Sequence, residues 1–164
     1  MSAADRLANA AGATVCIGAL LYGILYLQGR LGLEPCPLCI LDRVAFALAA
    51  VVFVLAALHA PGTRGRRLYA LGALLPLGFG VATAGRHVWL QSLPADQVPA
   101  CGPSLGYTLE NFPLQRAIDL VLRGSGSCAE TQWQFLGGSI ALWTLVLFSG
   151  LTLLGLWLLF KPAR

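Results

Sequence analysis

The sequence carries very little charge. Only 11% of its 164 residues are Asp, Glu, Lys or Arg, whereas 57% are apolar. A soluble domain typically carries about 25% charged residues, so this chain lacks the polar groups needed to cover a water-facing surface. It also lacks cofactor-binding motifs. The composition therefore favours a lipid bilayer over water as the surroundings of the folded chain.

Four long uncharged stretches divide the chain, at residues 7–29, 44–63, 68–85 and 131–160. Each reaches or exceeds the ~18 residues that mark a candidate membrane span. A 17.3 kDa chain cannot bury four such helices as soluble core. We therefore predict an all-α integral membrane protein, a four-helix bundle forming one domain over residues 1–164. The predicted spans are residues 10–29, 40–60, 68–89 and 134–160.

The basic residues are concentrated at one end of this predicted bundle. With four spans, both termini and loop 61–67 lie on the same side, which has a single acid, Asp5. The basic residues there are Arg6, Arg64, Arg66, Arg67, Lys161 and Arg164. Short loops rich in Lys and Arg remain in the cytoplasm, so the termini are predicted to be cytoplasmic and loops 30–39 and 90–133 to lie outside it. This topology accounts for the net charge of +4 without a nucleic-acid partner.

Cys36 and Cys39 form a Cys-x-x-Cys motif at the start of the second predicted helix. Residues i and i+3 of a helical turn have Cα atoms about 5 Å apart, a separation that a disulfide accepts. Pro37 suits the first helical position, and Cys39 would lie in the first turn, where free N–H groups and the helix dipole stabilise a thiolate. Arg43 follows one turn later on the same face, as a cation for that thiolate or for an anion formed beside it. The motif predicts a redox-active pair.

Cys101 and Cys128 lie in the second outer loop and are separated by 26 residues of chain rich in Gly and Pro. The compartment outside the cytoplasm is oxidising, so this pair can also form a disulfide. Apolar residues recur at helical spacing between Pro113 and Gly124, which predicts a short amphipathic helix in the membrane interface over residues 114–123. The pair could exchange with an external protein or merely close the loop.

Four cysteines could instead bind a zinc ion in an all-cysteine tetrahedral site. Such sites usually combine two close Cys-x-x-Cys motifs, and Cys101 and Cys128 do not form one. We therefore predict no metal. The fifth cysteine, Cys16, lies in the middle of the first span and is predicted to be a small apolar packing residue.

Two segments resemble the signatures of the DsbB family, disulfide bond formation protein B. They are residues 35–43, Pro-Cys-Pro-Leu-Cys-Ile-Leu-Asp-Arg, and residues 126–137, Gly-Ser-Cys-Ala-Glu-Thr-Gln-Trp-Gln-Phe-Leu-Gly. The resemblance covers nearly the whole chain, and His87 and Gln91 fall where family members place a histidine and a glutamine near the quinone. Asp42 stands where a glutamate is common. Two cysteine pairs in the corresponding loops make the resemblance specific.

The resemblance implies a quinone-dependent protein disulfide oxidoreductase of the bacterial inner membrane, with its redox cysteines in the periplasm. Cys101–Cys128 would oxidise a reduced DsbA-like thioredoxin-fold protein, and the electrons would pass through Cys36–Cys39 to ubiquinone, with menaquinone as the alternative. The implied quinone-binding residues are Arg43, His87 and Gln91. The competing interpretation is a non-catalytic membrane module that uses the four cysteines for structural disulfides or zinc. The vitamin K epoxide reductase type also has a four-helix core, but its Cys-x-x-Cys lies elsewhere along the chain.

Overall fold

Four long helices, one short helix and a two-stranded hairpin form the described part of the protein. The structure is a computed structural model that describes residues 2–94, 96–98, 113, 115, 126–131 and 133–162. Helix α1 (Ala3–Leu21) continues as a π-helical segment (Tyr22–Gln28), followed by α2 (Pro37–His59) and α3 (Thr63–Gln91). The short α4 (Gly126–Ala129), the antiparallel strands β1 (Gln134–Phe135) and β2 (Gly138–Ser139), and α5 (Ile140–Phe160) complete the order. The amphipathic helix predicted over residues 114–123 falls outside this description, apart from the single residue Gln115.

The outer surface of the long helices is apolar. Among the described residues, four stretches are long and apolar enough to cross a membrane: Ala3–Gln28, Pro37–His59, Thr63–Gln91 and Ile140–Phe160. Large side chains such as Leu7, Leu75 and Leu153 are 67–77% exposed on these helices. Water would disfavour so much exposed apolar surface, whereas lipid favours it. The prediction of a four-helix membrane fold is confirmed.

The last long helix begins six residues later than the predicted span. Leu136 and Gly137 have positive φ angles of 51° and 79°, so they turn the chain between β1 and β2. Ser139 then caps α5, because its Oγ accepts the backbone N–H of Leu142 at 3.2 Å. The uncharged run from residue 131 is therefore a hairpin followed by a helix; hydropathy alone does not separate the two.

The first helix begins seven residues earlier than predicted, because Ser2 and Asp5 form a reciprocal capping box. The Oγ of Ser2 accepts the Asp5 N–H at 3.2 Å, and Asp5 Oδ2 accepts the Ser2 N–H at 3.1 Å. Both bonds satisfy N–H groups that a helix start otherwise leaves free. Residues 3–9, which include the charged Asp5 and Arg6, therefore belong to the first helix although they precede its predicted span.

The core lies where the helices pack in the order α1, α2, α3, α5. The rings of Phe46 in α2 and Phe148 in α5 stack with centroids 4.0 Å apart and planes 13° apart. Gly80 of α3 allows this stack, because a Cβ at that position would collide with the Phe148 ring. Cys16 of α1 is fully buried in the same core, as expected of a packing residue. This packing brings the start of α2, the end of α3 and the start of α5 to one end of the bundle.

Candidate active site

Cys36 and Cys39 face one another at the beginning of α2. Cys36 is the N-cap residue, and its Sγ accepts the backbone N–H of Cys39 at 3.3 Å. Pro37 occupies the first helical position, where its missing N–H costs nothing. The two sulfurs are free thiols 2.9 Å apart. A disulfide brings sulfurs to about 2.05 Å, so a small side-chain movement would join this pair.

Cys128 lies beside this pair, on the short helix α4 that packs against α3. It is fully buried in a cluster with Cys36, Leu38 and Leu90, against which Cys39 also packs. Side-chain hydrogen bonds of the Cys36 S–H with the sulfurs of Cys128 and Cys39, together with burial, hold its proton in place and raise the pKa of the Cys36 thiol far above its ordinary value. A negative charge on this three-sulfur group therefore resides on a sulfur other than that of Cys36. Cys101, the predicted partner of Cys128, lies outside the described residues.

His87 approaches the same sulfurs from α3. Its side chain is 4% exposed, and its Nε2 lies 3.9 Å from the Sγ of Cys36. Gln91 follows one turn later, and its Oε1 accepts the hydroxyl of Ser139 at 2.6 Å, which ties the end of α3 to the start of α5. Both residues therefore lie at the thiol end of the bundle, and their predicted contact with a quinone stays a prediction.

A small cavity of about 30 Å³ opens beside these groups. Its lining includes Cys36, Cys39, His87, Gln91 and Trp133. Such a volume holds roughly one water molecule, so the ring of a quinone does not fit inside. The imidazole, amide and thiol groups do match the hydrogen-bonding needs of quinone carbonyls. The residues fit a quinone by their chemistry, and the small enclosed volume would restrict its ring to the open mouth of the cavity.

A cluster of aromatic rings extends from Trp133 at this cavity. Trp133, which lines the cavity, stacks on Phe135 with centroids 5.9 Å apart and meets Tyr22 edge-on at 6.3 Å. Tyr22 in turn stacks on Tyr26 at 5.1 Å. The indole of Trp143 donates a hydrogen bond to the Phe135 carbonyl at 3.0 Å, which fixes the β1–β2 hairpin. These rings form an apolar cluster beside the cavity, of the kind that commonly lies at the level of lipid headgroups.

Arg43 does not line the cavity; its described contacts run to the first membrane span. Its Nη1 donates to Gln28 Oε1 at 2.7 Å, and its Nη2 donates to the Gly23 carbonyl at 3.1 Å. Both acceptors belong to the π-helical segment. Arg43 does follow Cys39 by one turn of α2, as the spacing predicts, but the guanidinium is anchored to its neighbouring helix. Its role towards a thiolate or a quinone stays a prediction.

Thr83 is a polar residue of this region that the sequence did not single out. Its Oγ1 donates to Asp42 Oδ1 at 2.5 Å, and both side chains are buried. Asp42 follows Cys39 by three residues, and Thr83 precedes His87 by four, so this bond joins α2 to α3 directly below the sulfurs. The sequence could have indicated Thr83 because it precedes His87 by four residues, which places both side chains on the same face of a helix.

Three of these groups could also hold a metal ion. The Sγ atoms of Cys36 and Cys39 and a ring nitrogen of His87 all lie within 4.8 Å of one another. Tetrahedral zinc, with Zn–S bonds of about 2.3 Å, separates two of its sulfurs by about 3.7 Å. The 2.9 Å separation of these sulfurs lies about midway between this distance and the roughly 2.05 Å of a disulfide, so either bond requires the side chains to move.

Comparison with known proteins agrees with the cysteine chemistry. The profile of the family described as "DsbB: Disulfide bond formation protein DsbB" matches residues 5–158. The chain belongs to the DsbB family. A disulfide bond formation protein B from Nitrosococcus oceani is 56% identical over 132 residues, covering 80% of this chain and 78% of that protein. Similar proteins of the same name from Hahella chejuensis and Marinobacter nauticus are 55% and 51% identical, over 84% and 90% of this chain and 84% and 87% of their own lengths. No solved structure matches the chain.

Membership of the DsbB family gives the four-helix fold its general function. The protein is a multi-pass membrane disulfide oxidoreductase that serves disulfide bond formation. In this DsbB-family chain, three of the described thiols lie together at one end of the bundle: Cys36, Cys39 and Cys128. The fourth, Cys16, is buried in the core between the helices. That end, built by α2, α3 and α4, is the candidate active site.

Proposed function

We propose that this protein reoxidises a DsbA-like periplasmic thioredoxin-fold protein and passes the electrons to a membrane quinone. Ubiquinone is the proposed acceptor, with menaquinone as the alternative. The observation that carries the proposal is the convergence of buried Cys128 with Cys36 and Cys39, the pair that lines the cavity. It supports electron transfer between the two predicted cysteine pairs, because thiol–disulfide exchange requires direct attack of one sulfur on another.

The exchange steps balance as follows. Two thiols of the partner reduce the Cys101–Cys128 disulfide, and the partner leaves as a disulfide. The resulting dithiol reduces the Cys36–Cys39 disulfide and is itself oxidised again. Reoxidation of Cys36 and Cys39 releases two electrons and two protons, which a quinone bound beside them would accept. Of these sulfurs, the high pKa of Cys36 makes it the poorest thiolate, so Cys39 is the better nucleophile of its pair.

Energetics support a terminal acceptor of this kind. A DsbA-like partner is a strong oxidant at about −120 mV, whereas ordinary structural disulfides lie below about −300 mV. A structural pair would fall short by about 180 mV, or roughly 8 kcal/mol for two electrons. The cysteine pairs must therefore be reoxidised by an acceptor of higher reduction potential. A membrane quinone is such an oxidant, and a chain in the bilayer can reach it. Arg43, His87 and Gln91 are the residues proposed to hold it.

The proposed location is the bacterial inner membrane, with both termini in the cytoplasm and the thiols in the periplasm. The support is the distribution of charge: residues 61–67, which form the turn into α3 and its first residues, carry three of the arginines, and short basic segments between spans remain cytoplasmic. Thiol labelling of intact cells with a membrane-impermeant reagent would test this orientation. Labelling of an engineered cysteine in loop 61–67 without permeabilisation would contradict it.

An anaerobic assay tests the reaction itself. Purified protein in detergent is mixed with ubiquinone and a reduced thioredoxin-fold partner, and quinone absorbance is followed. Cys39→Ala should abolish quinone reduction, whereas Cys16→Ala, which removes a thiol buried in the distant core, should retain it. Turnover by Cys39→Ala at the unsubstituted rate would refute the proposed path. If neither ubiquinone nor menaquinone is reduced, the quinone assignment is wrong.

The alternative of a non-catalytic zinc module has one observation in its favour, the ligand group of Cys36, Cys39 and His87. It differs from the all-cysteine site considered from the sequence. Metal analysis of the purified protein distinguishes the two functions. One equivalent of zinc together with thiols that resist alkylation would favour the module, and metal-free protein that reduces quinone would exclude it.

A further inference from the structure

A second polar site lies at the opposite end of the bundle from the thiols. A cavity of about 400 Å³ opens where α1 and α3 begin and α5 ends. Its lining includes Asp5, Arg66 and Lys161, together with Gly62 and Thr63. Neither the disulfide chemistry nor the proposed quinone reaction uses these residues. The cavity is more than ten times larger than the one beside the thiols.

Positive charges outnumber negative charges among the described residues that form the ion pairs of this cavity. Lys161 Nζ lies 2.6 Å from Asp5 Oδ1, and Arg66 Nη1 lies 3.4 Å from Asp5 Oδ2. Asp5 and Arg66 are 2% and 6% exposed. Among the described residues, two cations therefore share one carboxylate, which gives this buried group a net charge of +1. A buried charge without a counterion is costly, so the group favours an additional anion in the adjoining space.

The guanidinium of Arg66 also retains hydrogen-bonding capacity. Its Nη2 donates to the Lys161 carbonyl, but its buried Nε has no hydrogen-bond partner among the described residues. Side-chain rearrangement around an added anion would give this N–H an acceptor. Arginine commonly binds phosphate through two of its N–H groups at once.

The start of α3 adds further donors to the cavity. Ser2, Cys36 and Ser139 cap the other three long helices with their side chains, whereas α3 begins at Gly62, which has no side chain to do so. Gly62 and Thr63 both line the cavity. The free N–H groups and positive dipole end of a helix favour an anion, and here they act together with the surplus cation.

We propose that this cavity binds the phosphate group of an anionic phospholipid. The site lies at the ends of three membrane spans, the depth at which lipid headgroups occur, and basic pockets between membrane helices suit anionic headgroups. Lys161 Nζ lies 4.7 Å above the ring of Trp157, which is 48% exposed. A tryptophan and a lysine at a helix end are typical of the headgroup level. Apolar side chains on the adjacent outer face, such as Leu7 and Phe160, would contact the acyl chains.

Binding can be measured on the full-length protein in a neutral detergent. Native mass spectrometry and thermal unfolding would be followed during titration with phosphatidylglycerol, with zwitterionic phosphatidylcholine, and with inorganic phosphate. Phosphatidylglycerol should bind and raise the unfolding temperature. Lys161→Gln lowers the charge of the group from +1 to 0 and should weaken this binding about five-fold, the usual effect of one basic residue near an anionic lipid. Asp5→Asn raises the charge to +2 and should strengthen it.

Arg67→Gln is the matched control. Arg67 lies in the same basic segment but is exposed and does not line the cavity, so its replacement changes the net charge equally and should leave lipid binding unchanged. Equal weakening by Lys161→Gln and Arg67→Gln would overturn the proposal in favour of general surface charge. Equal binding of phosphatidylcholine would also overturn it, as would an equal response to inorganic phosphate. Asp5→Asn changes the binding in the opposite direction, so the proposal stays testable if Lys161→Gln does not fold.

Discussion

Replacing Thr83 by valine tests whether the contact between α2 and α3 holds the thiol end of the bundle together. Valine keeps the shape of threonine and removes only the hydroxyl, which donates to the buried Asp42 at 2.5 Å. The loss leaves a buried carboxyl oxygen without this donor. A hydrogen bond of this kind contributes about 2 kcal/mol, so we expect the unfolding temperature in detergent to fall by about 4–8 °C for a chain of this size.

Thr152→Val provides the control for this experiment. Thr152 Oγ1 donates to the Phe148 carbonyl one turn back at 2.7 Å, and Thr83 makes the same kind of contact with Phe79 and Gly80 at 3.1 Å. Bonds of this local kind do not stabilise helices appreciably, so Thr152→Val should be nearly neutral. Equal destabilisation by both substitutions would show that the Asp42 bond contributes nothing. A double-mutant cycle with Asp42→Asn would then measure the coupling directly.

Two further predictions concern other contacts of the bundle. Gln28→Ala removes one of the two acceptors that hold Arg43, so kcat/KM for ubiquinone should fall about five-fold. Gln28→Glu keeps an acceptor at this position and should restore kcat/KM. Unchanged kinetics in Gln28→Ala would show that this anchor does not position Arg43 for the proposed reaction. Gly80→Ala forces a methyl group against Phe148 and should destabilise the protein by about 1–3 kcal/mol. Gly78→Ala meets nothing within 4 Å and should not, so thermal unfolding that fails to distinguish these two variants would contradict the packing.

The sequence predicted the membrane spans because their signal is local. Uncharged runs of sufficient length can be read without knowing what they contact, and the second and third predicted spans lie within a few residues of α2 and α3. The approach of Cys36 to Cys39 was equally accessible, since the i, i+3 spacing of a helical turn sets it. Errors were confined to helix ends, where a serine cap or a left-handed turn decides the boundary. Those features involve one or two residues and leave no trace in hydropathy.

The contacts between helices were much harder to predict. A span that is apolar all round gives no indication of which face meets its neighbour, so neither the Thr83–Asp42 bond nor the direction of Arg43 followed from the pattern. The sequence placed Arg43 on the same helix face as Cys39, but its guanidinium is long enough to reach the π-helical segment of the preceding span. Likewise, the position of Cys128 beside Cys36 depends on how α4 folds back onto α3, a long-range arrangement that spacing does not determine.

The sulfur of Cys36 also accepts a backbone hydrogen bond, because it caps α2 by accepting the N–H of Cys39. Any reaction that draws this sulfur away leaves that amide without its acceptor and loosens the first helical turn, a cap being worth about 1 kcal/mol. The same turn carries the second sulfur, so each exchange at Cys36 alters the freedom of Cys39. The rate at which the Cys39 amide proton exchanges with solvent would therefore depend on the redox state of the pair. Hydrogen-exchange measurements could follow that state without a chromophore.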